Sequence, residues 1–259
     1  MGVTPPCDHP GVATVASSRW ARWIGLAGRR AERAGFGPPG AHGTGQGADG
    51  GPPGHAGAGQ DTPLFEVPFV VVDVETTGGS PATATLTEIA AARYRGGECL
   101  GTFATLVDPG CLVPPLISLL TGITDDMVAG APSASSVLPS FLEFVRGAVL
   151  VGHNVSFDVS FLDAALTASE RLPLDNTVID TLALARRLLR PDVPDCKLRT
   201  LAVSLDLAHR PTHRALDDVR ATADLLHVLI ERATGYGVLL LGDLVELTRE
   251  LPRPSARVS

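Results

Sequence analysis

Lysine is almost missing from this chain. Lys197 is the single lysine among 21 basic residues, and arginine supplies the others. The net charge is −7 and the pI about 5.4, so no global basic field marks the chain as a binder of polyanions. A bound metal ion can still reverse the sign of one local site. Cysteine is sparse as well. Cys7, Cys99, Cys111 and Cys196 are widely scattered, none at the short spacing of a zinc site, and a chain this long needs no disulfide staples. They read as free thiols of a reducing compartment, which places the protein in the cytoplasm. No apolar run approaches the roughly 20 residues of a membrane span. The N-terminus lacks a basic segment followed by a long apolar one, so neither an anchor nor a secretory signal is expected.

What is present falls into three parts. Residues 1–62 read as a disordered Gly/Pro-rich N-terminal extension. Between Gly35 and Gln60, 11 of 26 residues are Gly and 4 are Pro, too little apolar surface to offset the entropy of ordering. Ahead of that stretch, Trp20, Trp23, Ile24 and Leu26 stand among five arginines. This reads as a weakly structured leader, with an amphipathic contact helix as the alternative. Residues 63–235 read as one α/β domain with a mixed central sheet flanked by helices. Three strands are expected first, at 69–74, 88–94 and 100–107, with Gly96-Gly97 as a hairpin turn between the last two. Short helical pieces follow, broken at Thr121-Gly122-Ile123-Thr124. A helix capped by Ser135 leads to a buried strand at 148–151. Alternating elements then end in a long helix near 214–234, with Leu216, Val219, Ala223, Leu226 and Ile230 as its core stripe. Residues 236–259 read as a short apolar segment and a linker-like tail.

Within this frame, five polar residues stand where an α/β sheet places ligands, at strand ends and at the helix starts that follow them. Asp73 and Glu75 interrupt the apolar run Phe69–Val74. Residues two apart on a strand share a face, so both carboxylates project together. Such a pair repels and loses hydration when buried, and a divalent cation makes it tolerable. Oxygen ligands suit Mg²⁺ or Mn²⁺. A solvated strand end is the alternative reading. Asp158 falls in the first turn of a helix after a buried strand, and Asp218 near the start of the last helix. His213 precedes Asp218 by five residues, about 140° around a helix axis, so the histidine reads as a loop residue before the helix, with Thr212 or the loop capping it. A loop histidine beside a helix acid can act as a general base near neutral pH. Together the acids could hold two cations about 4 Å apart, the geometry of in-line attack on phosphodiesters.

Three motifs carry a resemblance: Asp73-Val-Glu75-Thr-Thr-Gly, His153-Asn-Val-Ser-Phe-Asp158 and His213-Arg-Ala-Leu-Asp-Asp218. In this order they resemble the exonuclease motifs of the DEDDh, DnaQ-like family, across roughly Phe69 to Thr234. The resemblance implies an RNase H-like fold and removal of nucleotides from 3′ ends with two Mg²⁺ or Mn²⁺ ions. It implies that Asp73, Glu75, Asp158 and Asp218 are metal ligands and His213 the general base, and that Thr76, Thr77, Gly78 and Phe157 lie along the terminal nucleotide. Many relatives carry His-Gly-Ile-Thr where this chain has Thr121-Gly122-Ile123-Thr124, near the terminal base. The C-terminal segment resembles that of exonuclease modules fused to UvrC-like nuclease domains. The expected substrate is the 3′ end of single-stranded DNA, in proofreading or repair, with a polymerase or repair partner. RNA 3′ ends are the alternative within the class. A non-catalytic subunit that binds ends or a polymerase is the alternative outside it.

Overall fold

The computed structural model describes residues 57–249. The Arg/Trp segment, most of the Gly/Pro-rich stretch and the tail after Arg249 lie outside the described residues. Strands β1 (Phe69–Thr76), β2 (Leu86–Arg95) and β3 (Glu98–Leu106) form an antiparallel meander. The β2–β3 turn is made by Gly96 and Gly97, both at positive φ, as a tight two-residue hairpin requires. Helices α1 (Pro115–Thr121), α2 (Asp125–Val128) and α3 (Ala134–Val145) then lead to β4 (Val149–Gly152). After it come α4 (Ser156–Ala168), β5 (Val178–Asp180), α5 (Thr181–Leu188), α6 (Leu198–Ser204), α7 (Ala215–Gly235) and α8 (Leu241–Thr248). The sheet order is β3-β2-β1-β4-β5, with β4 parallel to β1 and β5 parallel to β4. This is the mixed sheet expected of an RNase H-like exonuclease fold.

Strict period-two alternation splits the apolar residues between the two faces of the sheet. Val70, Val72 and Val74 of β1, Ile89 and Ala91 of β2 and Leu150 of β4 pack against Val137, Leu138 and Phe141 of α3 and Phe161 and Leu162 of α4. Their neighbours Val71, Ala90, Ala92, Val149 and Val151 face Leu184 of α5, Leu201 of α6, and Val219, Leu226 and Ile230 of α7. Ala90 and Ala92 are small, which leaves room for the long helix α7 to lie across β1 and β2.

Two local expectations are corrected. The N-cap of α3 is Ser133, not Ser135; its hydroxyl lies 3.0 Å from that of Ser135 and 2.9 Å from that of Ser136. The N-cap of α7 is Arg214, with no side-chain cap hydrogen bond. Past residue 235, Leu241 and Leu244 of α8 are buried in the same cluster as α7. Antiparallel pairing of Pro63 with Leu240 ties that segment to the chain ahead of β1.

Candidate active site

β1 is paired to β4 only over Phe69–Val71. Beyond Val71 its β4-side edge is open, and here the acids gather. Asp73 and Glu75 continue the face begun by Val71 and come out under the start of α7. There the Asp218 carboxylate joins them, with one ligand oxygen from each of the three acids within 4.8 Å of the others. Asp158 is brought alongside but is not in that trio. It is 4 % exposed in the first turn of α4, and its Oδ1 accepts the Val74 N–H at 3.0 Å on the open edge of β1.

Burial pushes the carboxyl of Asp73 well above its ordinary range, and the charges of Asp158, Asp218, Glu75 and Glu88 add to this. Burial raises Glu75 to about 8, reinforced by Asp218, Glu88 and Asp158. Burial raises Asp158 to about 7, against the stabilising N–H of Val74. Asp218 is raised by burial too, while the N–H groups of Thr212 and His213 favour its charged form. Four acids held in this way are a donor set of hard oxygens short of positive charge. The converging trio Asp73, Glu75 and Asp218 therefore fits a divalent cation, with Asp158 alongside at the strand edge.

His213 sits in the loop ahead of α7 in a left-handed conformation (φ 62°). Its N–H and that of Thr212 donate to Asp218 Oδ1 at 3.2 and 2.8 Å, so histidine and acid are locked as one unit across five residues. The other candidates are placed differently. The Thr76 hydroxyl donates to the Gly78 carbonyl (2.6 Å), and Thr77 Oγ1 accepts the Thr85 N–H (2.9 Å). Both threonines are buried, and their hydroxyls serve the β1–β2 loop. Phe157 stacks at a tilt on Phe161, ring centroids 4.9 Å apart.

The turn that delivers Asp158 is tightly specified. A Cβ on Gly152 would meet Val155 Cγ2 at 2.9 Å, so only glycine fits there. Asn154 follows at φ 68°, and its N–H donates to Asp180 Oδ1, which also caps α5 through Leu182 N–H, both at 2.9 Å. His153 is structural: Nε2 is 2.8 Å from the Cys196 carbonyl and Nδ1 3.0 Å from Thr181 Oγ1.

Sequence reasoning missed Glu88 and Arg214. Glu88 is the direct cross-strand neighbour of Glu75, and its side chain is 8 % exposed. Its carboxylate accepts Arg214 Nε at 3.1 Å, Arg214 Nη2 at 2.9 Å and Ala215 N–H at 3.1 Å. The one available signal was an acid inside the apolar run Leu86-Thr-Glu-Ile-Ala-Ala-Ala.

Comparison with known proteins agrees with this architecture. The family model for RNase T, described as exonuclease, matches residues 70–226. A Mycobacterium tuberculosis protein named as a bifunctional exonuclease/endonuclease is 48% identical over 189 residues, which is 70% of this chain and 29% of that protein. The PolC-type DNA polymerase III of Bacillus subtilis is 39% identical over 184 residues, 71% of this chain and 13% of the polymerase. The chain thus spans under a third of these relatives' length. Among solved structures, Exonuclease X in complex with 5′ overhanging duplex DNA aligns with TM-score 0.54 and 26% identity, over 70% of this chain and 99% of that one. E. coli Exonuclease I in complex with a dT13 oligonucleotide aligns with TM-score 0.60 and 23% identity, over 66% of this chain and 43% of that one.

Proposed function

Because this chain belongs to the RNase T family of exonucleases, the DnaQ-like group, we propose that it is a divalent-metal-dependent 3′–5′ exonuclease. Its preferred substrate is the 3′ end of single-stranded DNA, and it works beside a DNA polymerase or repair assembly. The observation that carries the reading is the convergence of Asp73, Glu75 and Asp218 within 4.8 Å, with Asp158 at the same strand edge. Acids left uncompensated in this way destabilise a fold, and they make chemical sense where a cation and a phosphate are to meet.

Asp73, Glu75, Asp158 and Asp218 would hold the cations through their carboxylate oxygens. When bound, Mg²⁺ or Mn²⁺ supplies Lewis-acid stabilisation of charge on the scissile phosphate and on the departing 3′ oxygen. His213 takes the proton of the attacking water, its backbone held by the same Asp218 carboxylate. By the family resemblance, Thr76, Thr77, Gly78 and Phe157 lie along the terminal nucleotide. With a net charge of −7, the grip on the phosphate backbone is short, and strength comes from the metal site, from the partner or from the N-terminal arginines. The PolC-type relatives favour the polymerase setting and DNA over RNA.

The test is a time course on 5′-labelled single-stranded DNA and RNA oligonucleotides in Mg²⁺, with EDTA and Asp218→Ala as controls. The expected result is a ladder shortening from the 3′ end, faster on DNA and abolished by both controls. Absence of cleavage by folded wild-type protein in Mg²⁺ and Mn²⁺ leaves the end-binding reading instead.

A further inference from the structure

Glu88 is the fifth acid of this region, and it differs from the other four in having a cation of its own. It lies on the same face of the sheet as Glu75 and directly opposite it in the β1–β2 register. Two carboxylates in that relation repel. Arg214 answers the repulsion with both prongs of its guanidinium, the planar fork that matches a carboxylate and that lysine lacks. The third donor to Glu88 is the N–H of Ala215, the first residue of α7. Both Glu88 oxygens thereby accept N–H donors, and Glu88 is not among the acids whose oxygens converge. What it holds is the start of the helix.

From this anchor the connection to the site is short. Arg214 follows His213 directly, and the N–H groups of Thr212 and His213 close onto Asp218. The helix start has no side-chain cap within its own sequence; its cap comes from a strand 127 residues earlier. We infer that the Glu88–Arg214 pair is a positioning device: it fixes the register of α7 on β1 and so aligns Asp218 and His213 with Asp73 and Glu75. The inference rests on the metal-site reading for its purpose, but the clamp itself is testable without metal.

Two single variants separate positioning from charge. Glu88→Gln removes a negative charge near the acids, and Arg214→Gln removes a positive one. If the pair acted only through its field, Arg214→Gln would tighten cation binding. Positioning predicts that both loosen it. The probe is Mn²⁺ binding to the full-length chain by titration calorimetry. The expected result is weakening of about 10- to 100-fold in each single variant. The double variant is expected to be no worse than the poorer single, and Arg214→Lys to fall between wild type and Arg214→Gln. The second arm is amide hydrogen exchange of metal-free protein. Thr212, His213 and Ala215 are expected to exchange about tenfold faster in both variants, while Leu225–Leu229 in the middle of α7 stay as in wild type. Tighter Mn²⁺ binding by Arg214→Gln, unchanged exchange at the helix start, or a uniform rise along all of α7 each overturns the inference. If wild-type protein binds no Mn²⁺, the metal reading fails and the exchange arm alone decides the clamp.

Discussion

The two faces of β1 reach the end of the strand in different chemical states. On the α3–α4 side, Val70, Val72 and Val74 are apolar and buried. On the α7 side, Val71 gives way to Asp73 and then Glu75. One backbone serves both, so the closed face gives the open one its rigidity. A strand fastened by a packed apolar layer can hold like charges together that would otherwise drift apart into water. Stability and chemistry are thus divided between alternate residues of a single segment.

The sharpest way to break that division is Asp73→Asn. Hydrolysis is expected to fall about 10³-fold or more, while the metal-free protein gains stability because a buried, repelled charge is gone. Melting in EDTA at pH 8 checks this, with an expected rise of about 2–4 °C or more. The converse change is on the apolar face. Leu150→Ala, fully buried beside Val70, is expected to lower unfolding free energy by about 2–5 kcal/mol. The rate per folded molecule stays as in wild type, measured by urea unfolding and by activity at 25 °C.

A pH series sharpens the comparison further. Glu75 moves from an ordinary 4.5 to about 8 on folding. Between those values the native state keeps a proton that the unfolded chain has lost, so metal-free stability falls as pH rises through this window. Below it both states are protonated and the penalty is absent. Glu75→Gln is expected to flatten the slope in EDTA, and saturating Mg²⁺ to offset it in wild type. The smallest effect belongs to the turn that delivers Asp158. Asp180→Ala removes the cap of α5 and the acceptor for Asn154 N–H, and should lower stability by about 1 kcal/mol in thermal denaturation.

Much of this was legible in the residues and some was not. The alternation in Phe69–Glu75 announces both the strand and its two-faced end, because side chains two apart share a face whatever the fold. The Gly96-Gly97 hairpin and the helix opening at Asp158 are local too, written in turn and cap chemistry. Glu88 was out of reach because its meaning is relational. Its opposition to Glu75 depends on a register set across the loop 77–85, and its partner Arg214 lies 126 residues away. The packing of α8 on the α7 core was obscured because the segment 238–251 reads simply as apolar, which does not say what it covers.

The central claim is that the end of β1 and the start of α7 form a divalent-cation site. The most direct measurement is a crystal structure of the full-length chain grown with Mn²⁺ and a deoxynucleoside monophosphate, with data at the manganese absorption edge. Anomalous density among the carboxylates of Asp73, Glu75 and Asp218, with the nucleotide phosphate against it, is the predicted result. A well-ordered site with these carboxylates in place and no anomalous density would contradict the account.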